Sequence, residues 1–227
     1  MAHQLVIAID GPAAAGKSTT AKLVAGELGY LYIDTGAMYR AMGLKATRLG
    51  IPFSDIAAIE RMAEGTAIDQ QQTADGARTI LDGEDVSAAI RSPEISQAAS
   101  DISTIPAVRR RLVKLQQGMG KDGGVVMEGR DIATVVFPQA EVKVFMQAGI
   151  AERARRRLAE LASRGVSADA AELERQIAAR DKQDSERGDS PLAVAPGAVV
   201  IDTTGLTIAQ QVERVVALAR QKAQAAR

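Results

Sequence analysis

Short apolar runs alternate with longer amphipathic stretches along most of the chain. The run 5–9 has five consecutive apolar residues, which is typical of a strand buried on both faces of a sheet. A helical pattern over 17–28 follows, and Gly29 ends it. Further strands are predicted at 31–33, 125–127, 142–146 and 198–201, and helices at 37–49, 106–117, 151–163, 169–185 and from 207 onward. This alternation predicts an α/β fold with a five-stranded parallel sheet flanked by helices.

A different pattern interrupts the alternation between residues 66 and 91. The pairs Asp75-Gly76 and Asp82-Gly83 each separate short strand-like stretches, and Asp-Gly is a frequent hairpin turn. We expect about three antiparallel strands here, inserted into the α/β core. The predicted domains are therefore a core of residues 1–62 and 93–227 and an inserted lobe of residues 63–92. Ser92 before Pro93 predicts a helix start after the insert.

The composition argues against several classes of protein. The 28 basic and 28 acidic residues cancel, which argues against nucleic-acid binding by bulk charge. The absence of cysteine excludes disulfides, Cys-zinc sites and thiol nucleophiles. Six aromatic residues and the single histidine, His3, argue against an aromatic RNA-stacking surface and against histidine catalysis. No apolar run has the length of a signal peptide or a membrane span, so we expect a soluble cytoplasmic protein.

The residues between the first strand and the first helix match the phosphate-loop pattern G-x-x-x-x-G-K-S/T. Backbone N–H groups of such a loop and the following helix N-terminus bind phosphate oxygens. Lys17 is expected to reach the β- and γ-phosphates of ATP, and Ser18 to ligate Mg²⁺. The predicted ATP-binding residues are Gly11, Pro12, Ala13, Ala14, Ala15, Gly16, Lys17, Ser18 and Thr19. Because the chain contains no asparagine, it lacks the Asn-Lys-x-Asp motif of GTPases.

Two arginines follow other strands of the predicted sheet. Arg40 lies shortly after the second strand, behind Thr35, and Arg130 lies after the third strand of the sheet. Ligands of open parallel sheets bind beyond the carboxyl ends of the strands. Two arginines at such ends suit a doubly charged phosphate, so the sequence favours a kinase whose acceptor carries a phosphate.

Several stretches, in order along the chain, resemble bacterial cytidylate kinases, a family of nucleoside monophosphate kinases. The stretch Leu81-Asp-Gly-Glu-Asp-Val-Ser87 is the most specific, because adenylate kinases differ there. The other stretches are Ile9-Asp-Gly-Pro with the phosphate loop, Asp34-Thr-Gly-Ala-Met-Tyr-Arg40, Gly129-Arg-Asp131 with Thr134-Val-Val-Phe-Pro138, and Arg180-Asp181. The resemblance implies a P-loop NTPase-type kinase that transfers the γ-phosphoryl group of ATP to CMP, and also to dCMP, with Mg²⁺.

The resemblance also implies roles for individual residues. Lys17 and Arg130 would be catalytic. Thr35, Arg40 and Arg130 would contact the acceptor phosphate. The edge of the cytosine would be contacted by Ser100, Arg109 and Asp131. The pocket for the sugar and base would be lined by Arg180, Asp184 and Arg187. A short helical lid over ATP, at about residues 150–168, would act through Arg153 and Arg157. The sequence leaves open which arginines of the cluster Arg153, Arg155, Arg156 and Arg157 point inward.

The identity of the acceptor and the role of Asp34 are not decided by the sequence. The acceptor could be UMP or another monophosphate, and the chain could instead be an ATP-sensing module whose insert binds a protein. Asp34 either positions the water shell of magnesium or orients Arg40. We expect a monomer that binds ATP and CMP or dCMP and that binds neither nucleic acid nor a membrane.

Overall fold

A computed structural model describes residues 4–73, 76–163 and 165–225. His3 and Asp75 lie outside the described residues. The strands are β1 (Val6–Asp10), β2 (Leu31–Asp34), β3 (Ile68–Thr73), β4 (Gly76–Leu81), β5 (Glu84–Asp85), β6 (Val125–Gly129), β7 (Val142–Gln147) and β8 (Val199–Asp202). The α-helices are α1 (Lys17–Leu28), α2 (Thr35–Arg48), α3 (Ile56–Glu64), α4 (Pro93–Ile102), α5 (Pro106–Gly120), α6 (Ile150–Ser163), α7 (Ala170–Glu186) and α8 (Ile208–Ala225).

The larger sheet has five strands in the order β2-β6-β1-β7-β8. β1 pairs in parallel with β6 on one side and with β7 on the other, and β7 pairs in parallel with β8. Ile7, Ala8 and Ile9 are fully buried, as the apolar run predicted for a strand covered on both faces. The predicted five-stranded α/β fold is confirmed, and β1 lies where the strand order reverses, the usual ligand position in such sheets.

The smaller sheet is antiparallel and contains β3, β4 and β5. β3 and β4 pair from Ile68 opposite Leu81 to Thr73 opposite Gly76. Asp82 and Gly83 form the next turn, with φ of +49° and +90°, so both have the positive φ that a tight hairpin turn requires. The three strands expected from the Asp-Gly pattern are present.

Contacts divide the chain into two compact units. The first comprises Met1–Tyr30 and Gly123–Arg227, and the second comprises Leu31–Asp122. The phosphate loop lies in the first unit, and the smaller sheet lies in the second with helices α2 to α5. The insert of residues 63–92 is a smaller segment within the second unit, and its boundaries stay a prediction.

Three local features differ from the sequence-based elements. α2 begins at Thr35 instead of residue 37, because the Asp34 carboxylate caps the helix by accepting from the N–H of Ala37 at 2.8 Å. α3, at Ile56–Glu64, is not among the predicted helices, although Asp55 caps it in the same manner. A π-helical turn at Ile132–Val136 follows the strand β6. No helix within the described ranges is long and apolar enough to cross a membrane.

Candidate active site

The phosphate loop forms a tight turn between β1 and α1. Gly11 has a φ of +145°, and a Cβ at this position would overlap the backbone oxygen of Met146 in β7. Glycine is therefore required for the loop to pass this close to the neighbouring strand. Gly16, the residue before α1, has a φ of +95°. The turn brings the loop to the N-terminus of α1, an arrangement suited to phosphate.

Lys17 is the first residue of α1, and its side chain is buried. Its Nζ donates a hydrogen bond to the carbonyl oxygen of Pro12 at 2.7 Å. Burial lowers the pKa of Lys17 to about 7, and the positive charge of Arg130 adds to this shift, while Glu128 and Asp10 oppose it. The ammonium has thus lost hydration that its neighbours replace only in part. A polyphosphate would supply the missing negative charge.

Ser18 and Glu128 place two oxygen atoms side by side. The Ser18 hydroxyl donates to Glu128 Oε1 at 2.5 Å, and Glu128 lies in β6 opposite Ile9 of β1. Mg²⁺ prefers oxygen ligands, and usually binds one or two carboxylates together with substrate phosphates and water. The Ser18–Glu128 pair fits this set of donors and is the candidate magnesium site. Among the residues that the structure describes, no group of three or more His, Cys, Asp or Glu could hold a metal.

Asp10 connects the end of β1 to the turn after β6. Its buried carboxylate accepts hydrogen bonds from the backbone N–H groups of Ile132 and Ala133, both at 2.8 Å. Burial raises the pKa of Asp10 to about 6, against the lowering effect of these two hydrogen bonds; Asp131 raises the pKa further and Lys17 lowers it. Asp10 therefore fixes the turn that carries the predicted acceptor residue Asp131.

Arg130, Arg180 and Arg187 all act on the buried carboxylate of Asp184. Arg130 Nε donates to Asp184 Oδ2 at 2.8 Å, and Arg187 Nη1 lies 3.6 Å from Asp184 Oδ1. Burial alone would raise the pKa of Asp184, but the three guanidinium groups outweigh it and the pKa is lowered. Glu128 and Asp181 also act on Arg130, so three guanidinium groups and three carboxylates are grouped here; guanidinium groups are well suited to bind a phosphate. The structure thus brings four predicted acceptor residues together within the first unit.

Arg153 and Arg157 have different surroundings, although both were predicted for the lid. Arg153 is buried, and its guanidinium donates to Asp181 Oδ2 at 2.6 Å and to the carbonyl oxygen of Ala13, in the phosphate loop, at 3.3 Å. Arg157 is half-buried and donates to Glu160 on its own helix at 2.8 Å. The structure therefore brings Arg153, and not Arg157, into contact with the phosphate loop.

In the second unit, Thr35 and Arg40 lie at the start of α2. Arg40 forms an ion pair with Asp34 at 3.0 Å. Gln70 of β3 holds the same region, because its amide accepts from the N–H of Asp34 at 2.8 Å and donates to the Asp34 carbonyl at 2.6 Å. Asp34 thus pairs with Arg40 and caps α2, and its two roles left open by the sequence stay predictions.

Arg109 is a fully buried arginine of α5. Its Nη1 donates to the carbonyl oxygen of Ser103 at 3.3 Å, and its Cζ lies 5.7 Å from the centre of the Tyr39 ring. Ser100, also buried, belongs to α4, where its carbonyl oxygen accepts from the Ser103 hydroxyl at 2.7 Å. The end of α4 and the start of α5 thus place Ser100 and Arg109 in one region of the second unit, whereas Asp131 belongs to the first unit.

Three further residues near the site carry no role in the sequence-based assignments: Asp10, Glu128 and Thr203. Asp10 and Glu128 are acidic residues at the ends of buried apolar strands, which is a detectable signal for a site in a parallel sheet. Thr203 follows β8 and offers no such signal, because its hydrogen-bond partners Ala15 and Arg156 lie 188 and 47 positions away in the sequence.

Comparison with known proteins identifies the family. The sequence profile described as "Cytidylate kinase" matches residues 7–221 of this chain. The chain belongs to the cytidylate kinase family. A curated cytidylate kinase of Symbiobacterium thermophilum is 52% identical over 94% of this chain and 95% of its own length. Those of Pelotomaculum thermopropionicum and Desulfitobacterium hafniense are 51% and 49% identical, over 93% and 98% of this chain and over 94% and 95% of their own lengths.

Family membership confirms the resemblance drawn from the sequence stretches. The matched region includes the phosphate loop, the smaller sheet with its Asp82-Gly83 turn, and the arginine cluster around Asp184. Both units therefore belong to the family match, and neither is an unrelated addition to a cytidylate kinase core.

Proposed function

We propose that this protein transfers the γ-phosphoryl group of ATP to CMP and releases ADP and CDP. The observation that carries this proposal is the buried Lys17 in a phosphate loop, in a chain of the cytidylate kinase family. The proposal includes dCMP as a second acceptor, as the resemblance to the family implies.

On the donor side, the ATP phosphates bind the N–H groups of residues 11–19 and the ammonium of Lys17. Ser18 and Glu128 would hold Mg²⁺, which would supply positive charge that offsets the charge of the ATP phosphates. The Arg130 guanidinium is close enough to lower the pKa of Lys17 by its charge. These two cations therefore lie on the same side of the first unit and concentrate positive charge there, where the γ-phosphoryl group would be transferred.

The acceptor needs no strong general base. A phosphate monoester has a second pKa near 6, so CMP is largely a dianion at pH 7. One of its oxygens forms the new bond to the γ-phosphorus, and the bond from that phosphorus to the β–γ bridging oxygen breaks, so ADP leaves with the electron pair. The work of the protein is to position two anions and to offset their repulsion. This requirement agrees with the arginines around Asp184.

Individual roles belong to the same proposal. The CMP phosphate contacts Thr35, Arg40 and Arg130, and the cytosine edge contacts Ser100, Arg109 and Asp131. The sugar and base contact Arg180, Asp184 and Arg187. Arg153 and Arg157 close over ATP from the lid, which excludes water from the transferred group. The buried state of Arg153, Arg109 and Asp184 supports these assignments, since buried charged groups are concentrated at functional sites.

The substrate assignment is tested by ADP release from ATP and Mg²⁺ with CMP, dCMP, UMP and AMP in turn. We expect turnover with CMP and dCMP to exceed that with UMP and AMP. Preference for UMP or AMP would discard Ser100, Arg109 and Asp131 as readers of cytosine. ATP binding without turnover on any of the four would favour the ATP-sensing module.

The catalytic role of Arg130 is tested by Arg130→Met. Loss of one preorganised positive group at a transferring phosphoryl lowers kcat by about a hundredfold or more. Arg220→Met is the matched control, because Arg220 is an exposed arginine of the same unit that pairs with Glu27 at 3.0 Å. We expect the control to keep kcat within about twofold of the unmodified protein. A similar kcat in both variants would remove Arg130 from the catalytic set.

We also propose that the enzyme acts as a monomer in the cytoplasm, where ATP and CMP are both available. Sedimentation equilibrium measures the mass directly. A mass near 23.9 kDa agrees with a monomer, whereas twice that mass would show a dimer.

A further inference from the structure

Thr203 lies directly after β8 and is completely buried. Its hydroxyl is 2.9 Å from the carbonyl oxygen of Ala15, in the phosphate loop, and 3.0 Å from that of Gln147, at the end of β7. The same hydroxyl oxygen accepts from Arg156 Nη1 at 3.1 Å. One threonine thus joins the phosphate loop, the strand β7 and the helix α6.

The Thr203 hydroxyl donates its proton to the carbonyl oxygen of Ala15. A hydroxyl has one proton and can donate it fully to one acceptor. The Gln147 carbonyl already accepts from the backbone N–H of Thr203 at 2.8 Å. Arg156 occupies the acceptor side of the hydroxyl oxygen, and a second bond from its Nη2 to the Thr203 carbonyl at 2.6 Å fixes the geometry. These partners direct the proton toward the Ala15 carbonyl.

The contact with Ala15 determines the direction of one N–H group of the phosphate loop. The Ala15 carbonyl and the Gly16 N–H belong to the same peptide unit, which is planar and trans, so the two bonds point in opposite directions. A carbonyl held toward Thr203 therefore turns the Gly16 N–H away from β8. Gly16 has a φ of +95° and no Cβ, so this peptide would otherwise rotate easily.

Two other carbonyls of the loop are held by cationic side chains. Lys17 Nζ contacts the Pro12 carbonyl at 2.7 Å, and Arg153 Nη1 contacts the Ala13 carbonyl at 3.3 Å. Neither contact reaches the Ala15–Gly16 peptide. The Ala15 carbonyl of that peptide is held instead by the Thr203 hydroxyl, which is uncharged and lies directly after β8.

We propose that Thr203 is a positioning residue for the donor nucleotide: its hydroxyl orients the Ala15–Gly16 peptide so that the Gly16 N–H faces the phosphates of ATP. Arg156 acts through Thr203, because its guanidinium polarises and orients the hydroxyl. The proposal rests on the proposed function for the identity of the donor. It concerns ATP binding alone, so it is testable without CMP.

The test compares Thr203→Val, which has nearly the same shape without the hydroxyl, with Thr203→Ser, which keeps the hydroxyl. Calorimetry measures the Kd for ATP with Mg²⁺, and steady-state kinetics measures KM for each substrate. We expect Thr203→Val to raise the ATP Kd and KM about tenfold with the CMP KM unchanged, and Thr203→Ser to stay within threefold. An ATP Kd for Thr203→Val within threefold of the unmodified protein, or Thr203→Ser as impaired as Thr203→Val, would overturn the proposal.

Thr204→Val is the matched control, because Thr204 is the neighbouring threonine and its hydroxyl donates to Asp202 at 2.6 Å instead of to the phosphate loop. Its ATP Kd should stay within threefold, and a loss equal to that of Thr203→Val would overturn the proposal by assigning the effect to the whole loop. Thr203→Ala removes the same hydroxyl and carries the test if thermal unfolding shows that Thr203→Val is not folded. If the unmodified protein binds ATP but phosphorylates no monophosphate, the proposed function fails, while the ATP Kd values still decide the role of Thr203.

Discussion

Charged side chains around the phosphate loop are buried to a degree that is unusual for ionisable residues. Asp10, Lys17 and Arg153 are each less than 5% exposed. Burial of a charge is unfavourable unless partners replace its hydration, and here the partners do so incompletely for Asp10 and Lys17, whose pKa values move toward neutrality. The burial of these two charges therefore lowers the stability of the folded protein at neutral pH.

The unfavourable burial of the Asp10 charge can be measured as a change of protein stability with pH. Its pKa rises from the ordinary 3.8 to about 6 in the folded protein, so between these values the folded state holds a proton that the unfolded chain has lost. Stability is therefore favoured by protonation below pH 3.8 and declines as the pH rises through about 6, by about 3 kcal/mol in total. Asp10→Asn cannot titrate. We expect the free energy of unfolding of the variant, minus that of the unmodified protein, to increase by about 2 kcal/mol between pH 4 and pH 7, which is most of the total.

Urea denaturation at a series of pH values measures both free energies, and the contributions of titrating groups that do not interact with Asp10 cancel in the difference. Lys17 and Asp131 do interact with Asp10, so their contributions remain in it. A difference for Asp10→Asn that does not change with pH would show that the buried carboxylate does not carry the unfavourable charge assigned to it.

At the scale of elements, the periodic apolar pattern was sufficient for the sheet and for most helices. The predicted helix at 17–28 has the observed bounds, and the strands agree within about two residues. The pattern fails where a short-range polar contact decides the boundary. The Asp34 cap extends α2 by two residues, and α3 has nine residues, too few for its period to stand out beside the Pro52 turn. The π-helical turn after β6 depends on the distant carboxylate of Asp10.

Some residues of the candidate site could also be predicted from the sequence, and others could not. The loop residues from Gly11 to Ser18 could be predicted because local chain geometry and phosphate chemistry define the motif. The grouping of Arg130 with Asp184 could be expected only from a resemblance, since the two residues are 54 positions apart. Thr203 could not be found from either source, because a threonine after a strand has many ordinary roles.

The Asp82-Gly83 turn allows a test of element stability by a matched pair of glycines. Gly83 has a φ of +90°, which an alanine adopts only with strain, whereas Gly118 lies within α5; an added Cβ at either position meets no atom within 4 Å. We expect Gly83→Ala to reduce the free energy of unfolding by about 1–2 kcal/mol. Gly118→Ala should increase it by about 0.5–1 kcal/mol, since alanine favours the helix.

Urea denaturation measures both changes, and KM for ATP reports on the first unit, where neither glycine lies. We expect that KM to stay within about twofold in both variants. Equal effects of the two substitutions on stability would show that backbone conformation does not control the turn.

At the scale of the whole molecule, the residues proposed to bind the donor and the acceptor belong to two compact units. The phosphate loop, Thr203 and the arginines around Asp184 belong to the first unit. Thr35, Arg40, Ser100 and Arg109 belong to the second. Because both units lie within the family match, the two substrates should leave different patterns of stabilisation on one chain.

Hydrogen exchange measured by mass spectrometry reads these patterns peptide by peptide. A bound ligand raises the free energy of opening by RT ln(1 + [L]/Kd), about 2.7 kcal/mol at a hundredfold excess over Kd. This slows exchange about a hundredfold where opening requires release of the ligand.

We expect ATP with Mg²⁺ to slow exchange in peptides covering 11–20 and 203–206. CMP alone should slow exchange at 35–40 and 100–109 in the second unit, and at 129–136 and 180–187 in the first. Peptides of α3, at Ile56–Glu64, contain none of the assigned residues and serve as the internal control. Protection by CMP confined to the first unit would remove Thr35, Arg40, Ser100 and Arg109 from the acceptor site and leave recognition of the base to the residues after β6 and in α7.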